Sequence, residues 1–131
     1  MSSKTAALLF GVVFIAVGLL GFIDNPIIGT QDGAIFHADT THNYVHIISG
    51  ALFVLVALMS PRSAPGFMMF FGIVYLLIGV LGFVAVGTSG MGQVLGFLHV
   101  NGADNFLHIG LGLAIFLAGA ATRRRVTVAA R

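Results

Sequence analysis

The chain has 131 residues, of which 58% are hydrophobic and 8% are charged, and its mean hydropathy is +1.06. A water-soluble domain carries roughly 25% charged residues, so this composition excludes an ordinary soluble protein and predicts one membrane domain over residues 1–131. The absence of cysteine excludes disulfides, thiolate metal sites and thiol nucleophiles.

Four segments are apolar and long enough to cross a bilayer, which takes about 20 residues. In chain order they are Ala6–Ile23, His42–Met59, Phe67–Val86 and Phe106–Ala121. The first follows Lys4, as the apolar part of a signal peptide would, but no small-residue cleavage site follows it cleanly and a similar segment recurs later. We therefore interpret it as a retained helix and predict an all-α integral membrane protein with four transmembrane helices.

The two halves of the chain resemble each other. Residues 10–22 align with 71–83, and residues 36–50 align with 98–112 through matching histidines, asparagines and glycines. Each repeat, about 6–59 and about 67–121, contains two helices, so both enter the membrane in the same direction and form parallel-repeated helical hairpins. The repeated glycines predict close helix packing; they are Gly11, Gly18 and Gly21 with Gly72, Gly79 and Gly82.

Charged residues are separated by sign between the two sides of the predicted bundle. The basic residues lie at the N-terminus, between the second and third helices and in the C-terminal tail: Lys4, Arg62, Arg123, Arg124, Arg125 and Arg131. The acidic residues lie in the two other loops: Asp24, Asp32, Asp39 and Asp104. Basic loops stay cytoplasmic, so we predict a multi-pass protein of the bacterial plasma (inner) membrane with both termini in the cytoplasm. The arginine cluster at 123–125 is interpreted as a topology anchor rather than a lipid-headgroup site.

All five histidines lie on the acidic, outer side. Four-residue spacing places His42 and His46 on one helix face, and it places Asp104 where it could reach His108 and fix its tautomer. A glycine follows each inner histidine after four residues, at Gly50 and Gly112, and we expect it to leave room below the imidazole.

This polar cluster has one structural and several functional interpretations. In the structural one, Thr41 and Asp104, with Asn43 and Asn105 nearby, cap the helices while the histidines lock the hairpins together. In the functional ones, haem b lies between His46 and His108, or the cluster binds a substrate or a proton. A copper or zinc ion is a further alternative; its ligands would come from His37, His42, His46, His99 and His108.

Two elements carry a resemblance to a known family. They read T-H-N-Y-V-H at 41–46 and V-N-G-A-D-N-F-L-H at 100–108. Over nearly its whole length the chain resembles the small bacterial four-helix membrane proteins known as domain of unknown function four-three-eight-three. Members often carry Trp where Phe106 stands and Pro where His99 stands, so His99 is a weak ligand candidate. The resemblance supports the fold, names no activity and points to His42, Asn43, His46, Asp104, Asn105 and His108.

The sequence lacks a recognisable catalytic set. It contains no thiol, no Glu, no glycine-rich phosphate loop and no basic face suited to nucleic acid. We therefore predict a non-enzymatic structural or accessory membrane component without a cofactor, which contacts lipid and forms a homo-oligomer or joins a larger complex. A redox protein with haem b, copper or zinc at His46 and His108 is the alternative. A small oligomeric transporter ranks below it because the helix interiors are almost free of polar residues.

Overall fold

The structure, a computed structural model, describes the backbone of residues 1–31 and 33–129, and the side chains of this range as far as Arg123. Asp32 and Arg131, and the side chains of Arg124 and Arg125, on which part of the predicted charge separation depends, lie outside the described residues.

Four long helices make up most of the molecule. They are α1 (Ser3–Leu20), α2 (Thr40–Met59), α3 (Ala64–Val86) and α4 (Gly102–Ala129). Each is long and apolar enough to cross a membrane, which confirms the predicted all-α membrane fold. Helix α1 begins three residues earlier than predicted because the Ser2 side chain accepts a hydrogen bond from the Thr5 backbone N–H at 3.1 Å. Helix α4 begins four residues earlier than predicted, at a cap described below with the site.

Helices α1 and α2 approach each other closely at a pair of glycines. A Cβ atom on Gly11 would lie 2.9 Å from the Gly50 carbonyl oxygen, and one on Gly50 would lie 2.6 Å from the Gly11 carbonyl oxygen. Helices α3 and α4 meet in the same way at Gly72 and Gly112, where both distances are 2.8 Å. Close glycine packing is thereby confirmed. The expectation that Gly50 and Gly112 leave room below the histidines is wrong, because both positions are filled by the neighbouring helix.

Aromatic side chains fill the space between the two helix pairs. Phe14 of α1 lies at the centre, with its ring centroid 5.0 Å from that of Tyr75 in α3 and 5.5 Å from that of Phe53 in α2. Met68 and Ile115 are fully buried in the same cluster. Small residues therefore pack within each helix pair, and large residues pack between the pairs.

Short strands, which the sequence analysis did not predict, cover the outer end of the bundle. Strand β1 (Ile28–Gly29) pairs in parallel with β2 (Phe36–His37), and β3 (Met91–Val94) pairs antiparallel with β4 (Leu98–Asn101). The turn of the second pair has positive φ at both Leu95, 57°, and Gly96, 79°. Such a turn favours Asn-Gly or Asp-Gly, so a Leu-Gly turn carries little sequence signal.

Large apolar side chains cover the outward faces of the helices. Leu9, Leu52, Phe70, Leu77 and Leu117 are each exposed. This pattern is consistent with contact to lipid, in which exposed leucine has no cost. The division of the single domain into two duplicated hairpins stays a prediction.

Candidate functional site

Three histidines meet at the outer end of the bundle. His42 and His46 of α2 and His108 of α4 are buried, with exposed fractions of 2%, 7% and 3%. One ring nitrogen from each lies within 4.8 Å of the others. The predicted shared face of His42 and His46 is confirmed, since their rings stack at 4.9 Å with a 14° angle between planes. The ring of His108 lies 5.5 Å from that of His42 and 6.3 Å from that of His46.

The hydrogen bonds of these rings leave nitrogen lone pairs unused. The Nδ1 atom of His42 lies 2.7 Å from the carbonyl oxygen of His99. A carbonyl oxygen only accepts, so Nδ1 of His42 carries the proton and Nε2 of the neutral ring keeps its lone pair. The Nδ1 atom of His46 is buried without a hydrogen-bond partner among the described residues, and the ring of His108 contacts the backbone of Asp104.

Two aromatic rings form the floor of the three-histidine cluster. Phe14 stacks on His46 at 5.6 Å, and the ring of Tyr75 lies 5.7 Å from that of His108. The Tyr75 hydroxyl is buried, and the buried Ser49 side chain of α2 lies beside it. Sequence reasoning missed Tyr75 as a site residue. The alignment of the two halves could have indicated this residue, because the polar Tyr75 aligns with the apolar Phe14.

Asp104 joins the two outer segments through its carboxylate. Its Oδ2 accepts the backbone N–H of Asn101 at 2.8 Å and that of His37 at 3.0 Å. The Asn101 side chain accepts the Asp104 N–H at 2.9 Å, which completes a reciprocal capping box at the start of α4. Asp104 therefore takes part in the predicted cap, but the N-cap residue is Asn101, which the sequence analysis did not name. The carboxylate does not bond to the His108 ring as predicted, because it is engaged by two backbone N–H groups that would otherwise be unsatisfied; the His108 ring contacts the Asp104 backbone instead.

Asp39 has the corresponding position on α2. Its Oδ1 accepts the backbone N–H of His42 at 2.9 Å, so Asp39, and not Thr41 as predicted, caps this helix. Its Oδ2 lies 2.8 Å from Nδ1 of His99. The other ring nitrogen of His99 lies 3.1 Å from the Gln93 amide nitrogen.

His37 and His99 therefore lie outside the three-histidine cluster, although the sequence offered both as metal ligands. Their rings contact each other edge to face at 5.9 Å. Burial and the neighbouring His99 lower the pKa of His37, and the Asp39 carboxylate opposes them. Each ring nitrogen of His99 already has a hydrogen-bond partner. The His99 side chain therefore connects the outer segments.

Asn43 and Asn105 pack against the neighbouring helix and do not cap the start of α2 or α4. The amide of Asn43 lies over Gly21, the residue after α1, and that of Asn105 lies over Gly82 of α3, so a Cβ at either glycine would overlap the amide. The Asn105 amide nitrogen donates to the carbonyl oxygen of Gly87 at 3.1 Å. The predicted role of both asparagines at helix entrances is wrong because each side chain points sideways onto the glycine.

The cluster has the composition of a transition-metal site. Neutral imidazole binds zinc and copper well, and one ligand, His42, already has the outer hydrogen bond that orients ligating histidines. Nitrogens bound to one zinc ion at 2.0–2.1 Å in tetrahedral geometry lie about 3.3 Å apart. Separations of up to 4.8 Å therefore require each ring nitrogen to move inward by at most about 1 Å on binding.

Comparison with known proteins gives a family but no activity. Residues 4–121 match the family described as a domain of unknown function, DUF4383. No curated protein and no solved structure is similar enough to count as a match. Because the match covers nearly the whole chain, including all three clustered histidines, the protein belongs to the DUF4383 family.

Proposed function

We propose that this protein is a non-enzymatic, multi-pass membrane protein that binds a single zinc or copper ion through His42, His46 and His108. One observation carries the proposal: three buried imidazoles present ring nitrogens within 4.8 Å of one another, and Nδ1 of His46 has no hydrogen-bond partner among the described residues. A buried polar atom without a partner costs roughly 1–3 kcal/mol. A metal ion would offset that cost at the ligating nitrogens.

A non-catalytic role is supported by the absence of a free base beside the cluster. Three-histidine zinc sites in enzymes activate a water molecule, and a nearby carboxylate or imidazole then moves the proton. Of the three described carboxylates at this end, Asp104 and Asp39 accept hydrogen bonds at helix starts, and Asp24 is exposed in the loop after α1. We therefore propose that the protein stores the metal, senses it or is stabilised by it, and that the metal does not catalyse hydrolysis.

A single ion fits the cluster better than haem b. Two axial imidazoles of a haem lie on opposite faces of a wide planar ring. Here the ring of His42 lies 4.9 Å from that of His46 and 5.5 Å from that of His108, so a third imidazole stands beside the proposed axial pair. The glycines that would have made space for the macrocycle pack against α1 and α3.

A structural or accessory role is the second candidate, and the hydrogen bonds between the outer segments favour it. Asp104 binds His37, His42 binds His99, and Asp39 binds His99, so each bond joins the first half to the second. In this case the histidines serve as a lock. The exposed apolar faces would then support self-association or packing in a larger membrane complex.

We place the protein in the plasma membrane with both termini in the cytoplasm. Support comes from the described charges: Lys4, Arg62 and Arg123 belong to one end of the bundle, whereas Asp24, Asp39 and Asp104 belong to the other.

The metal content of protein purified in mild detergent tests the proposal. After incubation with zinc or copper and removal of excess ion, elemental analysis should find about one ion per chain. His46→Ala and His108→Ala should each lose the ion and remain folded. His99→Gln is the matched control, because the side chain of His99 is not in the cluster, and it should keep the ion.

Retention of the ion by both alanine variants would contradict the assignment, as would a wild-type protein that takes up no ion. An absorption band characteristic of haem in the purified protein would establish haem b instead. If the wild type takes up no metal and the alanine variants unfold more easily, the function of these histidines would be to hold the two halves together.

A further inference from the structure

An apolar cavity of about 270 Å³ lies beside the three-histidine cluster. It is enclosed by α1, α2, α4 and the first outer segment. Val17, Ile28, Phe36 and Ala38 contribute to its wall, and His42, His46 and Asp104 contribute the polar part. Apolar cavities of roughly 150 Å³ are large enough to take up benzene, so this one has room for a molecule of one or two rings.

The cavity reaches the side of the bundle that faces lipid. Ile27 and Leu107 both line it, and their exposed fractions are 46% and 40%. Both side chains are apolar, so the opening between them admits molecules dissolved in the bilayer more readily than ions from water.

The corresponding region of the second half is filled with side chains. Val94, Leu98 and Val100 of the β3–β4 hairpin are buried there and pack against Val45 and Ile78. The sequence alignment of the two halves places Val100 opposite Ala38, and Leu98 opposite Phe36. The smaller Ala38, together with a different loop, leaves space in the first half where the second half has a packed core. The cavity is therefore a feature of one half and not a consequence of the helix arrangement that both share.

The polar wall of the cavity selects a hydrogen-bond donor. Because Nδ1 of His42 donates to the His99 carbonyl oxygen, Nε2 of that ring is an acceptor. A hydroxyl group on an otherwise apolar molecule would satisfy it, whereas an anionic group would lose its hydration and lie beside the Asp104 carboxylate.

We propose that this cavity binds a lipid-soluble ring molecule with one hydroxyl group, of the phenol class, which enters from the bilayer and donates its hydroxyl hydrogen bond to the histidine wall. This second role engages the same Nε2 lone pair of His42 that the metal proposed above would bind, so it belongs to the metal-free protein.

Binding of 1-naphthol to the protein in lipid nanodiscs, with EDTA present, tests the site. The chain contains no tryptophan, so naphthol fluorescence can be excited without a protein signal from that residue. We expect saturable binding to one site per chain, above the non-saturable partitioning into protein-free nanodiscs. Val17→Phe and Ala38→Leu, which fill the cavity from α1 and from the outer segment, should each weaken binding at least tenfold.

Val12→Phe is the matched control for Val17→Phe. It makes the same substitution on the same helix, at a residue that is exposed, and it should bind naphthol as the wild type does. Partitioning equal to that of protein-free nanodiscs, or undiminished binding by both filling variants, would overturn the proposal. If one filling variant fails to fold, the other carries the test.

Zinc or copper content measured on the same variants separates this proposal from the metal proposal. The filling variants change no imidazole, so their metal content should equal that of the wild type. Loss of naphthol binding with unchanged metal content supports the cavity site. Naphthol binding by a wild type that takes up no metal would support the cavity site while the metal proposal fails.

Discussion

At the scale of single residues, two aspartates decide how the outer layer is held together. Asp104 accepts two backbone N–H groups, one from each half of the chain. Asp39 caps α2 and also pairs with His99 of the second half. Each carboxylate therefore has a local bond that starts a helix and a distant bond that joins the halves. A sequence reading recognises the local bond from spacing, but the distant partner is known only once the chain has folded.

Asp104→Ala should destabilise the protein by roughly 2–4 kcal/mol, because two backbone N–H groups lose their acceptor. The measurement is the free energy of unfolding in detergent from a denaturant titration. Asp104→Asn, whose amide oxygen can still accept, should lose less. Asp24→Ala, at an exposed position, should change the free energy by less than about 0.5 kcal/mol. Equal losses for the Asp104 and Asp24 variants would show that the two N–H groups do not depend on this carboxylate.

The three-histidine cluster could be predicted in part. The spacing of His42 and His46 indicated a shared face, and the aligned halves indicated His46 and His108 as equivalent residues. Spacing and position did not separate the three clustered histidines from His37 and His99, since all five are near the same end; only the family resemblance pointed to His42, His46 and His108. The separation follows from partners: Asp39 and Gln93 engage His99 from different segments.

At the scale of elements, each helix pair depends on backbone contact through small residues. Gly50 approaches the backbone of α1, and Gly112 approaches that of α3, so a side chain at either position has no space. Without a hydrophobic force between helices in lipid, packing of this kind supplies much of the association energy. The repeated glycines predicted this contact, and the structure adds that Gly50 and Gly112 belong to it.

Gly112→Ala should lower the free energy of unfolding by roughly 1–3 kcal/mol, because its Cβ would lie 2.7 Å from the Leu76 backbone nitrogen. Gly110→Ala is the matched control on the same helix, since a Cβ there would meet nothing within 4 Å. That control should be neutral or stabilising by up to about 1 kcal/mol, because alanine favours the helix more than glycine does. The two variants are compared by thermal unfolding in the same detergent. A Gly112→Ala protein as stable as the control would mean that α3 and α4 can separate without cost.

The strands of the outer layer belong to the same scale and were not predicted. Each has only two to four residues, too few for a period-2 pattern to stand out from an apolar background. The β3–β4 hairpin is held in place by the burial of Val94, Leu98 and Val100 against the helices. Tertiary packing, and not local preference, therefore stabilises it.

At the scale of the whole molecule, the four helices have apolar side chains both inside the bundle and on its outer surface. The aromatic cluster around Phe14 and Tyr75 joins the helix pairs inside, while exposed leucine and phenylalanine cover the outside. Such an arrangement is stable only where the outside is apolar. The hydrogen bonds of the outer layer connect its two segments to each other and to the starts of α2 and α4, and they hold that end of the bundle together.

The proposed orientation predicts different chemical access to the two ends. Because the chain contains no cysteine, single cysteines can be introduced without background at Ser63, between α2 and α3, and at Ser89, in the second outer segment. Both serines are exposed. A membrane-impermeant maleimide should label Ser89→Cys in intact cells and should label Ser63→Cys only after the membrane is opened. The reverse pattern would place the termini outside.

By itself, the amino-acid sequence determined that the helices are suited to lipid, how many helices can cross a membrane, and at which end of the bundle the polar residues lie. These follow from hydrophobic run length, the distribution of charged residues and helical spacing, all of which are local properties of the chain. The tertiary structure alone decided which three histidines meet, which atoms the aspartates bind, and that one half contains a cavity where the other contains Val94, Leu98 and Val100. The physical reason is that these features depend on distances between residues about 60 positions apart, which are set by the packing of glycines and aromatic rings between helices and are not encoded in any single segment.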